Sequence, residues 1–263
     1  MASAGQWDDL RQRLLSGAAM AGAGVALIWA GGIWFAALTA LVSGLMLWEL
    51  SRMLAPEKTA EALQIAVIGG LAVLLARALP GLYTFPILAA PAIVGIGLLK
   101  RHPLLFAPFA LAILVAGHGL SGFRDTYGVV WLFWLVLVVI ATDVFGYFAG
   151  RFIGGPKFWP RVSPKKTWSG TVAGWIAAAL IGVIFRQFTN AGPDLPWISM
   201  ALSLASQMGD IAESALKRRM GVKDSSNLLP GHGGLFDRFD GLLGAALFML
   251  LVAQLVYVPE VRF

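Results

Sequence analysis

Residues 206–241 read SQMGDIAESALKRRMGVKDSSNLLPGHGGLFDRFDG, and the interpretation of the whole chain depends on this stretch. It sets charged side chains close together in a chain that is otherwise apolar, and it contains His232 within a Pro-Gly-His-Gly-Gly run. Ionisable groups next to hydrophobic spans are costly unless they are paired or in use, so we predict a functional site here. The charged residues are Asp210, Glu213, Asp224, Asp237, Asp240, Lys217, Arg218, Arg219, Lys223 and Arg238.

The composition predicts a membrane protein. The chain has 263 residues, of which 58% are hydrophobic and 13% are charged, whereas soluble domains are about one quarter charged. The apolar residues form runs of about 17–25, which is enough to cross about 30 Å of hydrocarbon. A transmembrane barrel would show short alternating segments instead. We therefore predict an all-α, polytopic integral membrane protein with about nine transmembrane helices.

These spans divide the chain into two predicted regions. Residues 1–127 would form a transmembrane scaffold that gives access to lipid, and residues 128–263 a catalytic transmembrane domain. A loop of about twenty residues with five basic side chains and no acidic one follows the sixth span. The predicted spans are about 14–30, 32–50, 62–79, 83–99, 104–120, 128–149, 171–188, 197–216 and 241–258.

The distribution of charge predicts the orientation of the chain. With the N-terminus in the cytoplasm, sixteen of the 20 Lys and Arg residues would lie on the cytoplasmic side, as the positive-inside rule requires. In such a protein a net charge of +6 indicates anionic headgroups or phosphates and not nucleic acid. The absence of cysteine excludes disulfides and thiolate metal sites.

The acidic residues of the opening stretch allow two interpretations. Asp210, Ser214 and Lys217 fall on one helix face, together with Glu213, so this face is either a charge-paired packing stripe or part of a site. Asp237 and Asp240 are three residues apart at the start of the ninth span, where acids also commonly cap helices.

A glycine-rich run just before these acids favours a site that binds phosphate. Gly231, Gly233 and Gly234 would let the backbone approach a phosphate closely. Carboxylates beside basic residues and phosphates suit a hard divalent cation, usually magnesium. His232 would act as a base or phosphate donor, or else would satisfy backbone groups of the loop. Zinc is not expected, because no second histidine or cysteine accompanies it.

The second candidate segment is Ser163-Pro-Lys-Lys-Thr-Trp-Ser-Gly170. Lys165 and Lys166, with the hydroxyls of Ser163 and Thr167, suit a phosphate or a lipid headgroup. The alternative is a basic cluster that only contacts anionic lipid. Asp143 lies near the predicted cytoplasmic end of the sixth span, where it would be a metal ligand, a substrate contact or a more distant acid.

These motifs resemble a known family. The run from Ser214 through Lys217-Arg218 and Lys223-Asp224 to Leu-Pro-Gly-His-Gly-Gly-x-x-Asp-Arg-x-Asp240 is similar to the signature of phosphatidate cytidylyltransferases. The segments Gln207-x-Gly-Asp210, Ser163-Pro-Lys-Lys-Thr-Trp and Thr142-Asp143 resemble other blocks of that family. The resemblance is close over residues 140–245, and upstream it rests on hydropathy. Ser169 departs from the pattern, since the family often has Glu there.

The resemblance implies a reaction in phospholipid biosynthesis: CTP and phosphatidate give CDP-diacylglycerol and pyrophosphate. It also implies magnesium, a second cation such as potassium, a homodimer, and an inner-membrane location with the active site facing the cytoplasm. Asp210, Asp237 and Asp240 would be the metal ligands, and with Lys217 and His232 they would form the catalytic set. The implied substrate-binding residues are Asp143, Ser163, Lys165, Lys166, Thr167, Ser214, Arg218, Lys223, Asp224, Gly233, Gly234 and Arg238.

Two other classes of protein are weaker interpretations. A CDP-alcohol phosphotransferase also clusters aspartates in a membrane, but its Asp-Gly…Ala-Arg…Gly…Asp…Asp pattern is absent from the sequence. A secondary transporter would place charges near the bilayer midplane and contain repeated broken helices. The charges of this chain are predicted to crowd one face of the membrane, which favours a transferase.

Overall fold

The structure, a computed structural model, describes residues 4–229, 231 and 233–261, and its side chains from Gly17 onwards. These residues form nine α-helices, one 3-10 turn at Gly81–Tyr83 and one two-stranded sheet. The helices are α1 (Ala4–Ala30), α2 (Gly32–Leu54), α3 (Thr59–Ala78), α4 (Thr84–Leu99), α5 (Pro103–Tyr127), α6 (Val129–Phe152), α7 (Trp168–Thr189), α8 (Leu195–Arg219) and α9 (Phe236–Val252).

Within the described part of the chain, six helical segments are long and apolar enough to cross a membrane. They are Gly32–Leu54, Thr59–Ala78, Gly81–Leu99, Pro103–Tyr127, Val129–Phe152 and Trp168–Thr189. Each of the nine predicted spans overlaps one α-helix, so the prediction of a helical membrane protein is confirmed. The number of nine crossings and the orientation of the N-terminus stay predictions.

The last helix differs from its predicted range. It begins at Phe236, about one turn before the predicted residue 241, and ends at Val252 and not at 258. After Val252 the chain forms tight turns, in which the Gln254 and Leu255 amides donate to carbonyls three residues back. The predicted end was wrong because residues 253–258 remain largely apolar, so hydropathy does not distinguish these turns from a helix.

The basic loop after α6 contains regular structure that the all-α prediction did not include. Strand β1 (Lys157–Trp159) pairs antiparallel with β2 (Ser163–Thr167). Helix α7 then starts at Trp168, where the Thr167 hydroxyl accepts a hydrogen bond from the Gly170 amide at 3.2 Å. A hairpin that runs directly into a capped helix holds the two lysines of β2 on a defined backbone.

The chain forms two compact units. One extends from the N-terminal helix to Ser121 and resumes over Met220–Arg238, and the other comprises Gly122–Arg219 and the chain from Phe239 onwards. The predicted division at residues 127 and 128 concerned the roles of the two parts and stays a prediction. In the first unit α2 packs closely on α3, since a Cβ added to Gly44 would lie 2.8 Å from the Ala66 carbonyl oxygen. Small residues at helix contacts are typical of membrane bundles.

In the second unit α7 packs against both α6 and α8, and α8 crosses α9 at two glycines. A Cβ added to Gly244 would lie 3.0 Å from the Cα atom of Gly209 and would overlap the Ala205 carbonyl oxygen. Only glycine permits this approach of two backbones. Asp210 follows Gly209 directly, and Asp240 lies one turn before Gly244, so the crossing sets both acids at the same helix contact.

Candidate functional site

The centre of the site in the second unit is an ion pair between the hairpin and α8. The Lys166 Nζ atom lies 2.5 Å from the Asp210 Oδ2 atom. The same Nζ donates to the backbone carbonyl of Gln207 at 3.4 Å. Both charged side chains are about one quarter to one third exposed (25% and 33%). A pair that is partly shielded from water keeps more of its Coulomb attraction than a surface pair does.

Other polar and acidic side chains lie close to Asp210. Ser214 donates to the Asp210 Oδ1 atom at 3.2 Å, as the spacing of four residues predicted. The half-buried carboxylate of Asp240 accepts from the Gly241 amide at 2.7 Å. Asp240 is repelled by the charges of Asp210 and Asp143 and attracted by that of Lys217. Carboxylates gathered in this way require compensating positive charge.

Gln207 holds α7, α8 and the hairpin together. Its side-chain oxygen accepts from the Trp175 indole N–H at 3.0 Å, and its side-chain nitrogen donates to the Thr171 carbonyl at 3.3 Å. Its backbone carbonyl takes the bond from Lys166. The buried side-chain amide thus joins α8 to α7, and the backbone carbonyl of the same residue holds the Lys166 ammonium at α8.

A groove of about 320 Å³ opens beside this ion pair. Lys165 and Lys166 line it on the hairpin side, and Asp143 lines it on the side of α6. Arg151, whose guanidinium donates to the Tyr147 hydroxyl at 2.7 Å, adds another positive charge to the wall. The groove can hold an anionic group of phosphate size, because its positive side chains outnumber its single carboxylate.

Lys217 is held in place by a buried partner one turn earlier on α8. It forms an ion pair with Glu213, whose side chain is 1% exposed. The predicted polar face of α8 thus exists as two successive groups, Asp210 with Ser214 and Glu213 with Lys217. The interpretation as a charge-paired stripe is confirmed for the second group, and the role of Lys217 at substrate phosphates stays a prediction.

In the first unit, Asp237 organises the loop that leads into α9. Its Oδ2 atom accepts from the Ser225 amide at 2.8 Å, from the Ser225 hydroxyl at 2.9 Å and from the Gly234 amide at 2.8 Å. These donors belong to the loop before α9 and not to its first turn, so this oxygen holds the loop, and the interpretation of Asp237 as a helix cap stays a prediction. Its assignment as a metal ligand stays a prediction.

A second buried carboxylate, Glu49 of α2, holds the same loop. Its Oε1 atom accepts from the Ser226 hydroxyl at 2.5 Å and the Leu235 amide at 2.8 Å. Its Oε2 atom accepts from the Phe236 amide at 2.6 Å and the Ser225 hydroxyl at 3.3 Å. Glu49 is fully buried, and these four donors satisfy its charge.

The glycines of the loop serve this packing. Gly233 has a φ of +81°, and its carbonyl accepts from the Leu229 amide at 2.8 Å. A Cβ on Gly234 would overlap the Ser225 hydroxyl and lie 2.7 Å from the Glu49 Oε1 atom. These glycines were predicted to approach a phosphate, and the structure shows that Gly234 approaches a carboxylate.

The other predicted substrate residues differ in their exposure. Lys165, Arg218, Lys223, Asp224 and Arg238 are exposed, Ser163 is half-buried in β2, and Thr167 is buried with its hydroxyl at the start of α7. His232 lies outside the described residues. Ser169, at the departure from the family pattern, donates to the Gly154 carbonyl at 2.5 Å.

Glu49 and Gln207 are two structural residues of these clusters that were not among the predicted site residues. Glu49 is an acidic residue at the end of an apolar span, and Gln207 is an amide within one. A polar side chain in such a position indicates a functional or structural role, because it is costly to bury without a partner. Their partners could not be predicted, because they lie between 32 and 187 residues away along the chain.

No group of three or more His, Asp or Glu side chains is arranged to hold a metal ion by itself within the residues that the structure describes. Magnesium sites in phosphate-transferring proteins commonly use only one or two carboxylates and complete their shell with substrate phosphates and water. Asp210 and Asp240 are hard oxygen donors of this kind, so these residues fit such an ion when a phosphate is present.

Comparison with known proteins agrees with this chemistry. A phosphatidate cytidylyltransferase of Brucella abortus biovar 1 (strain 9-941) is 34% identical over 266 aligned residues, which cover 96% of each chain. That of Bacillus subtilis (strain 168) is 31% identical over 271 aligned residues, covering 94% of this chain and 98% of the relative. One from Staphylococcus epidermidis (strain ATCC 12228 / FDA PCI 1200) is 35% identical over 151 residues, or 55% of this chain.

The sequence model of the cytidylyltransferase family matches residues 11–256 of this chain. These residues include both clusters of carboxylates and the basic hairpin. The similarity therefore extends well beyond the motifs quoted from the sequence, into the helices that place them. The chain belongs to the cytidylyltransferase family.

Proposed function

We propose that the protein is a phosphatidate cytidylyltransferase, which converts CTP and phosphatidate to CDP-diacylglycerol and pyrophosphate. The observation that carries this proposal is the Lys166–Asp210 pair at the edge of a basic groove, in a chain of this family. Apolar helices would keep the lipid substrate in the membrane, and the groove would receive its phosphate.

The reaction needs alignment and charge neutralisation more than proton transfer. An oxygen of the lipid phosphate attacks the α-phosphorus of CTP, a P–O bond forms, and the bond to the β-phosphate oxygen breaks to release pyrophosphate. A phosphate monoester is already a nucleophile at neutral pH, so no dedicated base is required. Lys165 and Lys166 hold negatively charged oxygens in line, and the pairing of Lys166 with Asp210 keeps its ammonium at a fixed position.

Asp210 and Asp240 would hold magnesium together with oxygens of the substrate phosphates. When bound, the ion neutralises charge that develops on the transferred phosphoryl group and the leaving pyrophosphate. The support for this assignment is the repulsion between Asp240 and its acidic neighbours, which a divalent cation would relieve. Asp237 belongs to the same predicted ligand set, and its Oδ2 atom already accepts three hydrogen bonds.

The resemblance also implies a second cation and a homodimer, and both are proposals. The assignment of potassium as the second cation would be supported if potassium raised the rate of CDP-diacylglycerol formation at saturating magnesium and sodium did not. A homodimer requires a protein mass of about twice 28.0 kDa once the bound detergent is subtracted. A mass of 28.0 kDa for active protein would exclude the dimer as the functional unit.

Asp240→Asn should abolish most turnover. The substitution removes a negative charge from the proposed metal site and so weakens binding of the metal ion. A bound metal ion stabilises the transition state by several kcal/mol, and losing that stabilisation would slow the reaction about a hundredfold or more. The measurement is magnesium-dependent formation of CDP-diacylglycerol by purified protein. Glu57→Gln, at an exposed acid paired with Arg101 at 3.1 Å, is the control and should stay within about twofold of the parent. A folded Asp240→Asn protein with parental activity would contradict the assignment.

The hairpin lysines should differ in their effect on substrate binding. Lys165 lines the groove, whereas Lys157 of β1 is another exposed lysine of the same hairpin and does not line it. We expect Lys165→Ala to raise the KM for one of the two substrates about tenfold, since a charge-assisted hydrogen bond contributes about 1.5–3 kcal/mol. Lys157→Ala should leave both KM values within about twofold. Equal effects of the two substitutions would show that only the overall charge of the hairpin matters.

The proposed orientation puts the hairpin in the cytoplasm and the α7–α8 loop on the opposite side. The chain contains no cysteine, so single cysteines can be introduced without removing others. A membrane-impermeant maleimide should label Lys157→Cys in inside-out vesicles and Gly192→Cys in intact cells. Gly192 has open space around it, which makes the substitution mild. Labelling of both positions from one side would refute this topology.

A further inference from the structure

Glu49 is a buried charge for which the proposed reaction has no direct use. It lies on α2, is fully buried, and has four donors within hydrogen-bonding distance, all from residues 225–236, of which the Ser225 hydroxyl is shared with Asp237. A buried carboxylate is strongly unfavourable without partners, and the loop supplies them. The donors lie 176–187 residues after Glu49, so this contact joins two segments that are far apart in the sequence.

Two of the four donors to Glu49 lie at the start of a helix. Leu235 and Phe236 supply the backbone amides that precede and open α9, and these amides have no acceptor within the helix. Glu49 therefore caps α9 from another helix, and the negative charge is further stabilised by the positive end of the helix dipole. Helix capping is normally local, whereas here the cap fixes the beginning of α9 to α2.

The neighbouring carboxylate shares this arrangement. The Ser225 hydroxyl lies within hydrogen-bonding distance of both Glu49 and Asp237, at 3.3 and 2.9 Å. Gly234 contacts both acids, because its amide donates to Asp237 at 2.8 Å and an added Cβ would lie 2.7 Å from the Glu49 Oε1 atom. Displacement of the Glu49 carboxylate must therefore disturb the bonds that hold Asp237.

We propose that Glu49 is a positioning residue for the cytidylyl transfer: it fixes the first turn of α9, which carries Asp237, and so sets the helix on which Asp240 also lies. This inference rests on the proposed function. Glu49 touches no substrate and acts through Asp237 and the loop that begins at Ser225. Its removal should lower the rate of the chemical step and leave substrate affinity nearly unchanged.

Glu49→Gln tests this role with little change in volume. Each carboxylate oxygen accepts from one backbone amide, so an amide side chain must turn its NH₂ group towards either Leu235 or Phe236. That amide then loses its acceptor. We expect kcat to fall about tenfold to a hundredfold, which is the effect of losing a hydrogen bond to a charged group, while the KM values for CTP and phosphatidate stay within about threefold.

Ser51→Ala is the matched control. Ser51 is equally buried on the same helix, and its hydroxyl donates to the Leu47 carbonyl of its own helix at 2.7 Å. Its kcat should stay within about twofold of the parent. Asp237→Asn combined with Glu49→Gln should be no slower than the worse single variant, because both changes disturb one arrangement.

The outcomes separate a positioning role from a stabilising one. A Glu49→Gln protein that is folded and has the parental kcat, even with a lowered melting temperature, overturns the proposal. If this variant does not fold, Ser226→Ala decides, because it removes one donor from the same carboxylate. A several-fold lower kcat in Ser226→Ala supports positioning, and a parental kcat overturns it. An inactive parent would refute the proposed function, and with it this role for Glu49.

Discussion

Carboxylates that are wholly or partly removed from water, and that must therefore find partners, determine how this apolar chain is arranged. Burying an unpaired charge costs more than almost any single contact returns, so each acid has to be satisfied by a particular donor. Asp210 finds the ammonium group of Lys166 on the hairpin, and Glu49 finds the amides at the start of α9. These pairings tie together segments that hydrophobic packing, which is non-directional, could place in many ways.

Close helix contacts make the pairings possible. The glycine contact between α8 and α9 sets Asp210 and Asp240 at the same crossing, and the hairpin ends in the Thr167 cap that starts α7. Gln207 then links α7, α8 and Lys166 through three hydrogen bonds. Ordered side chains of this kind suit a reaction that depends on alignment, because little reorganisation remains to be done at the moment of transfer.

The sequence predicted the helices and the motifs better than it predicted their partners. Hydropathy located the helices because apolar runs of membrane length are a strong signal, but it misplaced the end of α9, where apolar turns follow. The hairpin was missed because a strand of three residues carries almost no periodic pattern. The face shared by Asp210 and Ser214 followed from helical spacing, whereas the partners of Glu49 depend on contacts far along the chain.

The central claim is that the lipid phosphate attacks the α-phosphorus of CTP. The most direct measurement uses phosphatidate whose phosphate oxygens carry ¹⁸O, incubated with the purified protein, CTP and magnesium, followed by mass analysis of both products. If this attack occurs, CDP-diacylglycerol should retain all of the label of the lipid phosphate and the pyrophosphate should contain none. Label in the pyrophosphate, or loss of the label to water, would contradict this attack.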